Sequence, residues 1–497
     1  MKYNNPIIKG FYPDPSVCKV NDTYYLVCSS FQYFPGVPLF ESKDLINWKQ
    51  IGHCLTRESQ VKLEKINSSG GVFAPTIRYN NGRIYMTTNN NTTNENFYIW
   101  TDNIYGEWSE PIFVDQGGID PSIYFEDEKT YFISNGTDDY GINGIVQCEI
   151  DIATGKKLTP SRTIWTGTGG RFIESPHMYK INGMYYLMVA EGGTEYGHMV
   201  AYARSNSPYG EFEGYKFNPV LTNRNLGGYE IQGVGHGDLI EDNEGNWWII
   251  HLGFRQQGQW DQYHYLGREV FLTPIYFDDN GWFKAGDNGT TTKTFNIINI
   301  NKIIIQNEKK HYTFENTDWD KEWGYLRIPN KKNYRFYDNK LSLKGTEVTL
   351  DDVDSPTFIG LRQRDFNAII TCDICISEGE GGITLYMDEN HHYDLAIQKI
   401  EKGYKAIKRL NIGDIKSVEE TVDLNSNKVT LIINASNNYY SFYIKCDGEE
   451  VSLGTAQTKY LSSEVAGGFT GVIIGLYAYS SNCCDYAEFK NFNCRYL

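Results

Sequence analysis

No stretch of this chain approaches eighteen consecutive apolar residues, so nothing in it reads as a membrane-spanning helix and no membrane partner is expected. Positive charge is scarce as well: 46 Lys and Arg stand against 62 Asp and Glu, a formal net charge of −16. Nucleic-acid binding needs clustered cations to neutralise phosphates, so no nucleic-acid partner is expected and a neutral or carbohydrate ligand fits better. Met1 to Phe11 lacks a basic region followed by an apolar core, and without such an export signal the expected location is cytoplasmic. Long runs of 3.6-residue period are missing, which favours an all-β chain. The ten cysteines are scattered through strand-like runs, and in a chain read as cytoplasmic they are expected to be free thiols that pack as small hydrophobes. Cys372 and Cys375 have the C-x-x-C spacing of a zinc or redox motif, but they sit in an alternating strand without a second pair and are read as core packing.

What the chain has in quantity is aromatic residues, 38 Tyr, 25 Phe and 10 Trp, together with 48 Gly, a composition suited to many strands and turns. Five times in the first half a short phrase returns: a Pro or Gly at a turn, a buried apolar residue, then an aromatic strand. The copies are Asp14-Pro15-Ser16-Val17, Ala74-Pro75-Thr76-Ile77, Asp120-Pro121-Ser122-Ile123, Ser175-Pro176-His177-Met178 and His236-Gly237-Asp238-Leu239. An aromatic falls eleven residues after the first position of every copy, at Tyr25, Tyr85, Tyr131, Tyr186 and Trp247. The spacing of the copies is at or somewhat above the period of one four-stranded blade, so the expected architecture is a five-bladed β-propeller. Equivalent positions of such a ring converge on one face. Asp14, Asp120 and, one residue ahead of the repeat register, Glu174 are therefore expected around a single funnel.

The propeller is expected over residues 1–293, ending in the Gly, Thr and Asn-rich stretch 284–293. Residues 294–310 are read as a connecting segment. From 311 to 497 short alternating runs such as Ala368 to Ile376, Lys428 to Asn434 and Tyr486 to Cys494 point to a second domain, an antiparallel β-sandwich of concanavalin-like kind.

Acid and base work on a glycosidic bond needs two carboxyl groups on opposite sides of it, one protonated and one ionised. Asp14, held between Pro13 and Pro15, and Glu174, in the run Phe172 to His177, are the candidates. Asp120 is expected to raise the pKa of Glu174 by like-charge repulsion. An Asp before Pro is also a common turn residue. Two copies at matched repeat positions, with an acid beside a third, tip the balance toward chemistry, whereas Asp238 reads as structural.

In their order along the chain, the runs Gly10 to Ser16, Ser29 to Phe31, Phe34 to Pro38, Gly118 to Ser122, Glu191 to Thr194, Gly235 to Asp238, Leu266 to Glu269 and Gly467 to Gly471 resemble the family 43 glycoside hydrolases, specifically the two-domain β-xylosidase and α-L-arabinofuranosidase group. The resemblance implies hydrolysis with inversion, Asp14 as general base, Glu174 as general acid and Asp120 tuning and orienting Glu174. It further implies an exo-acting enzyme that releases terminal xylose or arabinose from short pentose oligosaccharides and requires no cofactor. Arg268 is implied to bind sugar hydroxyls and hold a neighbouring carboxylate ionised, with an edge salt bridge to Glu269 as the alternative. Phe31 is implied to line the sugar pocket, and Phe73, standing where several relatives carry Trp or Tyr, to affect its shape. His236 matches a histidine that in some relatives faces a metal ion or water. A structural calcium ion in the propeller channel would be reached through waters, since the ion wants about six to eight oxygens, and a satisfied core histidine is the other reading. Phe469 is implied to reach from the sandwich into the pocket mouth, with ordinary sandwich core as the alternative. Ser175 departs from the Gly of many relatives. Relatives of this type are often oligomers, which leaves a homo-oligomer open, as is the choice between xylose and arabinose. Two competing functions remain: an endo-acting arabinanase, which needs a groove not blocked by Phe469, and a non-catalytic carbohydrate-binding propeller.

Overall fold

Tight hairpins dictate the first half of the architecture. In the computed structural model, which describes residues 2–296, 309–312, 314, 321–481 and 485–497, each sequence repeat lies at the start of, or in the fifth case within, the inner strand of a four-stranded antiparallel sheet. These inner strands are Ser16–Val20, Thr76–Asn80, Ser122–Glu126, Glu174–Ile181 and Ile231–Glu241. The five sheets are the blades of the expected propeller. The eleven-residue spacing has a plain cause: the fifth position of a copy pairs across the ladder with the aromatic, Cys18 with Tyr25, Arg78 with Tyr85, Tyr124 with Tyr131 and Tyr179 with Tyr186. Two-residue turns join these strands, and they open on Asn21, Asn81, Asp127 and Asn182, all with φ between 48° and 55°. That left-handed backbone is tolerated by Asn and Asp and required by the tightest hairpins. In the fifth blade the turn is longer, and Trp247 pairs with Glu241.

Two devices hold the ring. At its rim, Lys2–Asn4 pairs with Thr294–Asn296, and the Tyr3 hydroxyl and Asn5 Nδ2 both donate to the Leu272 carbonyl at 2.7 and 3.0 Å. Inside, the fully buried carboxylate of Asp238 accepts from Ser16 Oγ at 2.6 Å, Val17 N at 3.0 Å, the Arg78 guanidinium at 2.8 and 3.0 Å and the Tyr179 hydroxyl. The fifth blade is thereby tied to the first, second and fourth. Burial opposes the charge on Asp238, but Arg78 and His177 outweigh it and the pKa is well below the ordinary carboxylate value.

The C-terminal half is a two-sheet sandwich. One sheet has six strands, with Thr357–Arg362 at one edge and Ile415–Leu424 at the other, and the facing sheet has eight. Ala368–Ile376 alternates strictly between buried and half-buried residues, the pattern of a strand with one face in the core. Exposed, charged Ile415–Leu424 and its neighbour Tyr404–Ile412 carry a weaker alternation, which is why the sequence pattern passed over them. Cys372 is in the core. Cys375, three residues on, faces the other side of the strand and is half-buried, so the pair shares neither a face nor a ligand geometry. The eight described cysteines are free; Cys483, Cys484 and residues 297–308 of the connecting segment lie outside the described residues.

The two halves share a core. Tyr263, Tyr265 and Leu266, from the loop leading to the third strand of the fifth blade, belong to the apolar cluster of the sandwich. Their backbone is knitted in by Ser463 N to His264 O at 3.0 Å and Val472 N to Tyr265 O at 2.9 Å.

Removing the Asp238 carboxylate leaves the Arg78 guanidinium buried without its partner. Asp238→Ala is expected to destabilise the propeller by about 3–5 kcal/mol, a drop of roughly 10 °C in the thermal midpoint, read by circular dichroism melting.

Candidate active site

The mouth of the ring is built from a repeated strained position. Asp14, Asp120, Ser175 and His236, the first residues of four repeats, all adopt left-handed backbone with φ between 49° and 56°. Such residues cost strain and persist only where surrounding structure holds them. In the fourth blade this position is occupied by Ser175, so the acid comes one residue earlier, at Glu174. The two blades are then joined directly, because Ser175 N donates to Asp120 Oδ2 at 3.0 Å. The same backbone state is the one in which glycine costs least, so Ser175 carries a strain there that glycine would not. Close approach also fixes Gly118, two residues before Asp120: at φ +88° a Cβ there would lie 1.4 Å from the Asn135 carbonyl oxygen.

A single cavity of ≈ 220 Å³ gathers all eight residues singled out in the sequence: Asp14, Phe31, Phe73, Asp120, Glu174, His236, Arg268 and Phe469. Arg268 Nη1 donates to Asp14 Oδ1 and to Thr194 Oγ1, both at 2.8 Å. Ser29 Oγ donates to the other Asp14 oxygen at 2.6 Å. The alternative partner of Arg268 is taken: Glu269 accepts from Arg255 at 2.7 and 2.9 Å. Phe31, Phe73 and Phe469 form an aromatic corner with ring centroids 5.3–5.4 Å apart. Phe469 is half-buried and stands in the cavity, not in the sandwich core. Its backbone N donates to Ser69 Oγ of the propeller at 2.8 Å, which pins the loop that carries it.

Burial opposes ionisation of all three carboxyls. For Asp14, burial is outweighed by Arg268, His236, the Ser29 hydroxyl and His198, and the pKa is lowered. For Glu174, burial and the charge of Asp14 prevail over Arg268 and Arg171 and push the pKa up to about 7. Asp120 is raised well above its ordinary value by burial and by the charges of Glu174 and Asp14. Asp120 and Glu174 therefore retain a proton between them at neutral pH while Asp14 is ionised. Burial also lowers His236 and pushes His198 down to about 3, so both imidazoles are neutral. The site thus offers one group ready to take a proton and another ready to give one.

His236 Nδ1 lies 3.7 Å from Asp14 Oδ1 and 3.9 Å from Asp120 Oδ2. Among the described residues no three His, Cys, Asp or Glu side chains are grouped to hold a metal ion, and the cation bound to the Asp238 carboxylate is Arg78. An ion facing His236 would be reached through waters and not through a cluster of protein ligands. The cavity also takes in Arg171, Phe172, Thr194, Glu195 and His198, none of which was singled out beforehand as a site residue. Thr194 ends the Glu191 to Thr194 run, but no spacing rule places a hydroxyl against Arg268; only the fold does.

Residues 3–283 match the model of glycosyl hydrolases family 43, and residues 311–495 match the β-xylosidase C-terminal concanavalin A-like domain. The chain is 38% identical over 488 residues to a non-reducing end α-L-arabinofuranosidase of Bacteroides ovatus, covering 96% of this chain and 91% of that protein. It is 36% identical over 516 residues to a xylosidase/arabinosidase of Butyrivibrio fibrisolvens, with 98% of each chain covered. Among solved structures, one described as Bacteroides ovatus xyloglucan PUL GH43B superposes with a TM-score of 0.94 at 36% identity over 100% of both chains.

With Asp14 accepting a proton and Glu174 donating one, turnover is expected to fall at low pH as Asp14 becomes protonated and to fall again as pH rises through about 7, where Glu174 loses its proton. Asp120→Asn removes a repelling carboxyl, so the alkaline limb of kcat against pH is expected to move to lower pH, with reduced activity. A profile that keeps its alkaline limb in place contradicts the coupling.

Proposed function

The chain belongs to glycosyl hydrolases family 43, and from that premise we propose that it is an exo-acting, inverting glycoside hydrolase releasing terminal xylose or arabinose from short (arabino)xylo-oligosaccharides. The observation that carries the reading is the opposite displacement of two acids in one cavity: Asp14 is held ionised by Arg268, while Glu174 is pushed up to about 7. In this reading Asp14 takes a proton from water as the water oxygen bonds to the anomeric carbon. Glu174 gives its proton to the glycosidic oxygen on the opposite side, and that oxygen leaves with the electron pair of the broken bond. One displacement of this kind inverts the anomeric centre. Asp120, anchored by Ser175 N, shares a proton with Glu174 and holds the pair in place beside the glycosidic oxygen.

Size and shape favour a single terminal sugar. A cavity of ≈ 220 Å³ lies below the range of about 300–1,000 Å³ usual for drug-sized ligands and suits one sugar ring packed on the Phe31, Phe73 and Phe469 corner. Phe469 stands in the cavity wall, which weighs against the open groove that an endo-acting arabinanase needs. Two relatives named for arabinofuranosidase and for xylosidase/arabinosidase activity support either pentose as the released sugar. The proton transfers assigned to Asp14 and Glu174 need no metal, so no cofactor is included in the proposal.

Wild-type protein is expected to hydrolyse a nitrophenyl xyloside or arabinofuranoside, with proton magnetic resonance detecting the inverted anomer first. Asp14→Ala is expected to lower kcat by about 10²–10⁴-fold. Glu174→Ala is expected to lose as much on a disaccharide but less on a nitrophenyl glycoside, whose leaving group departs without protonation. Near-wild-type rates in either variant, or a retained first anomer, would sink the assignment. Dialysis against a chelator is expected to leave kcat/KM where it was.

A further inference from the structure

Arg327 is fully buried, yet it lies outside the catalytic cavity. A guanidinium withdrawn from water costs free energy unless it is paired and hydrogen-bonded, and this one is paired across the two domains. Its Nε donates to the Ile66 carbonyl at 2.6 Å and its Nη1 to the Asp354 carbonyl at 2.7 Å. Its Nη2 donates to the buried carboxylate of Glu389. Ile66 belongs to the link between the first and second blades, whereas Asp354 and Glu389 belong to the sandwich. The backbone at Arg327 is left-handed, with φ +58°, and its N donates to the Gln32 carbonyl at 2.8 Å. Strain of that kind persists only where the surroundings enforce it.

From this ion pair a chain of polar contacts runs to the aromatic corner. Glu389 Oε1 also accepts from Ser68 Oγ at 3.0 Å. Gln32, buried and next in sequence to Phe31, donates through Nε2 to Ser68 Oγ at 3.3 Å and accepts at Oε1 from Ser69 N at 3.0 Å. Ser69 Oγ in turn accepts from Phe469 N at 2.8 Å and donates to the Phe469 carbonyl at 3.3 Å. Val72, further along the same link, exchanges backbone hydrogen bonds with Phe31 at 2.9 and 3.1 Å. The link is thus clamped by Arg327 at Ile66 and holds two of the three cavity rings beyond it. The chain of contacts ends on rings and not on Asp14, Asp120 or Glu174.

We propose that Arg327, held by Glu389, is a positioning residue: through the 66–69 segment it sets where Phe469 stands, and so how tightly the sugar to be released is packed. The proposal rests on the hydrolase reading above and adds to it a determinant of sugar affinity that touches neither the substrate nor the acids. Packing on a ring acts alike on bound substrate and transition state, so its loss appears in KM and not in kcat.

The test is a double-mutant cycle on the nitrophenyl pentoside that the wild type turns over. Ser69→Gly removes the hydroxyl that pins Phe469, and the local φ of +67° suits glycine, so the fold is kept. Arg327→Met is combined with Glu389→Gln, so that no charge is left buried alone. Each of these two proteins is expected to raise KM by about tenfold with kcat within about twofold of wild type. In a Phe469→Ala background both are expected to change KM by less than about twofold, because the ring through which they act is gone. A wild-type KM in Ser69→Gly or in the folded Arg327→Met, Glu389→Gln protein overturns the proposal, as does a loss that persists in full when Phe469 is already replaced. Should circular dichroism show the paired variant unfolded, Ser68→Ala, which breaks the chain between Glu389 and Gln32, takes its place: a raised KM supports the proposal and a wild-type KM overturns it. Wild-type protein that turns over neither pentoside refutes the hydrolase reading itself, before any variant is compared.

Discussion

The ion pair between Arg268 and Asp14 sets the protonation pattern of the whole site. Three carboxyls are brought into one half-dry cavity, and burial alone would protonate all of them. A single guanidinium 2.8 Å from Asp14, with the Ser29 hydroxyl on the other oxygen, keeps Asp14 ionised and leaves the proton to the Asp120 and Glu174 pair. Asp14 then raises Glu174 and Asp120 through its own charge. One cation thus separates base from acid among groups that are chemically near-equals.

Arg268 can do this because the sandwich holds the loop that carries it. Tyr265 and Leu266 are embedded in the sandwich core, and Gly267, at φ +82°, lets the chain pass against the Phe11 ring, where a Cβ would come within 2.5 Å. The same domain supplies Phe469, pinned to Ser69 of the propeller and lying 5.0 Å from the Arg268 guanidinium. The C-terminal half is therefore a structural wall of the pocket and a support for its key cation. A propeller without it would lose the aromatic corner and the anchorage of Arg268 together.

Much of this was legible along the chain, and for local reasons. The recurrence of the aromatic eleven residues on reflects a two-residue hairpin, and the Asn and Asp residues at 21, 81, 127 and 182 are its further signature, one that a reading centred on aromatics overlooks. Strongly alternating sandwich strands were recognisable because one face is buried; Ile415–Leu424, exposed on both faces for most of its length, was not. The rim residues Arg171 and Phe172 had no pattern to betray them, since exposure at a cavity mouth has no sequence period.

The sequence by itself determined the all-β class, the number of blades and the three acids, because each of these is written in short-range chemistry: turn residues, alternation and a repeat that places like positions at like places in a ring. The tertiary structure alone decided which acid is charged, which partner Arg268 takes and where the pocket is closed. Those outcomes depend on distances between groups hundreds of residues apart, such as Asp14 to Arg268 and Ser69 to Phe469, and on how much water the folded chain leaves between them. Electrostatic energy at such sites follows separation and burial, and neither quantity exists until the ring has closed and the sandwich has docked.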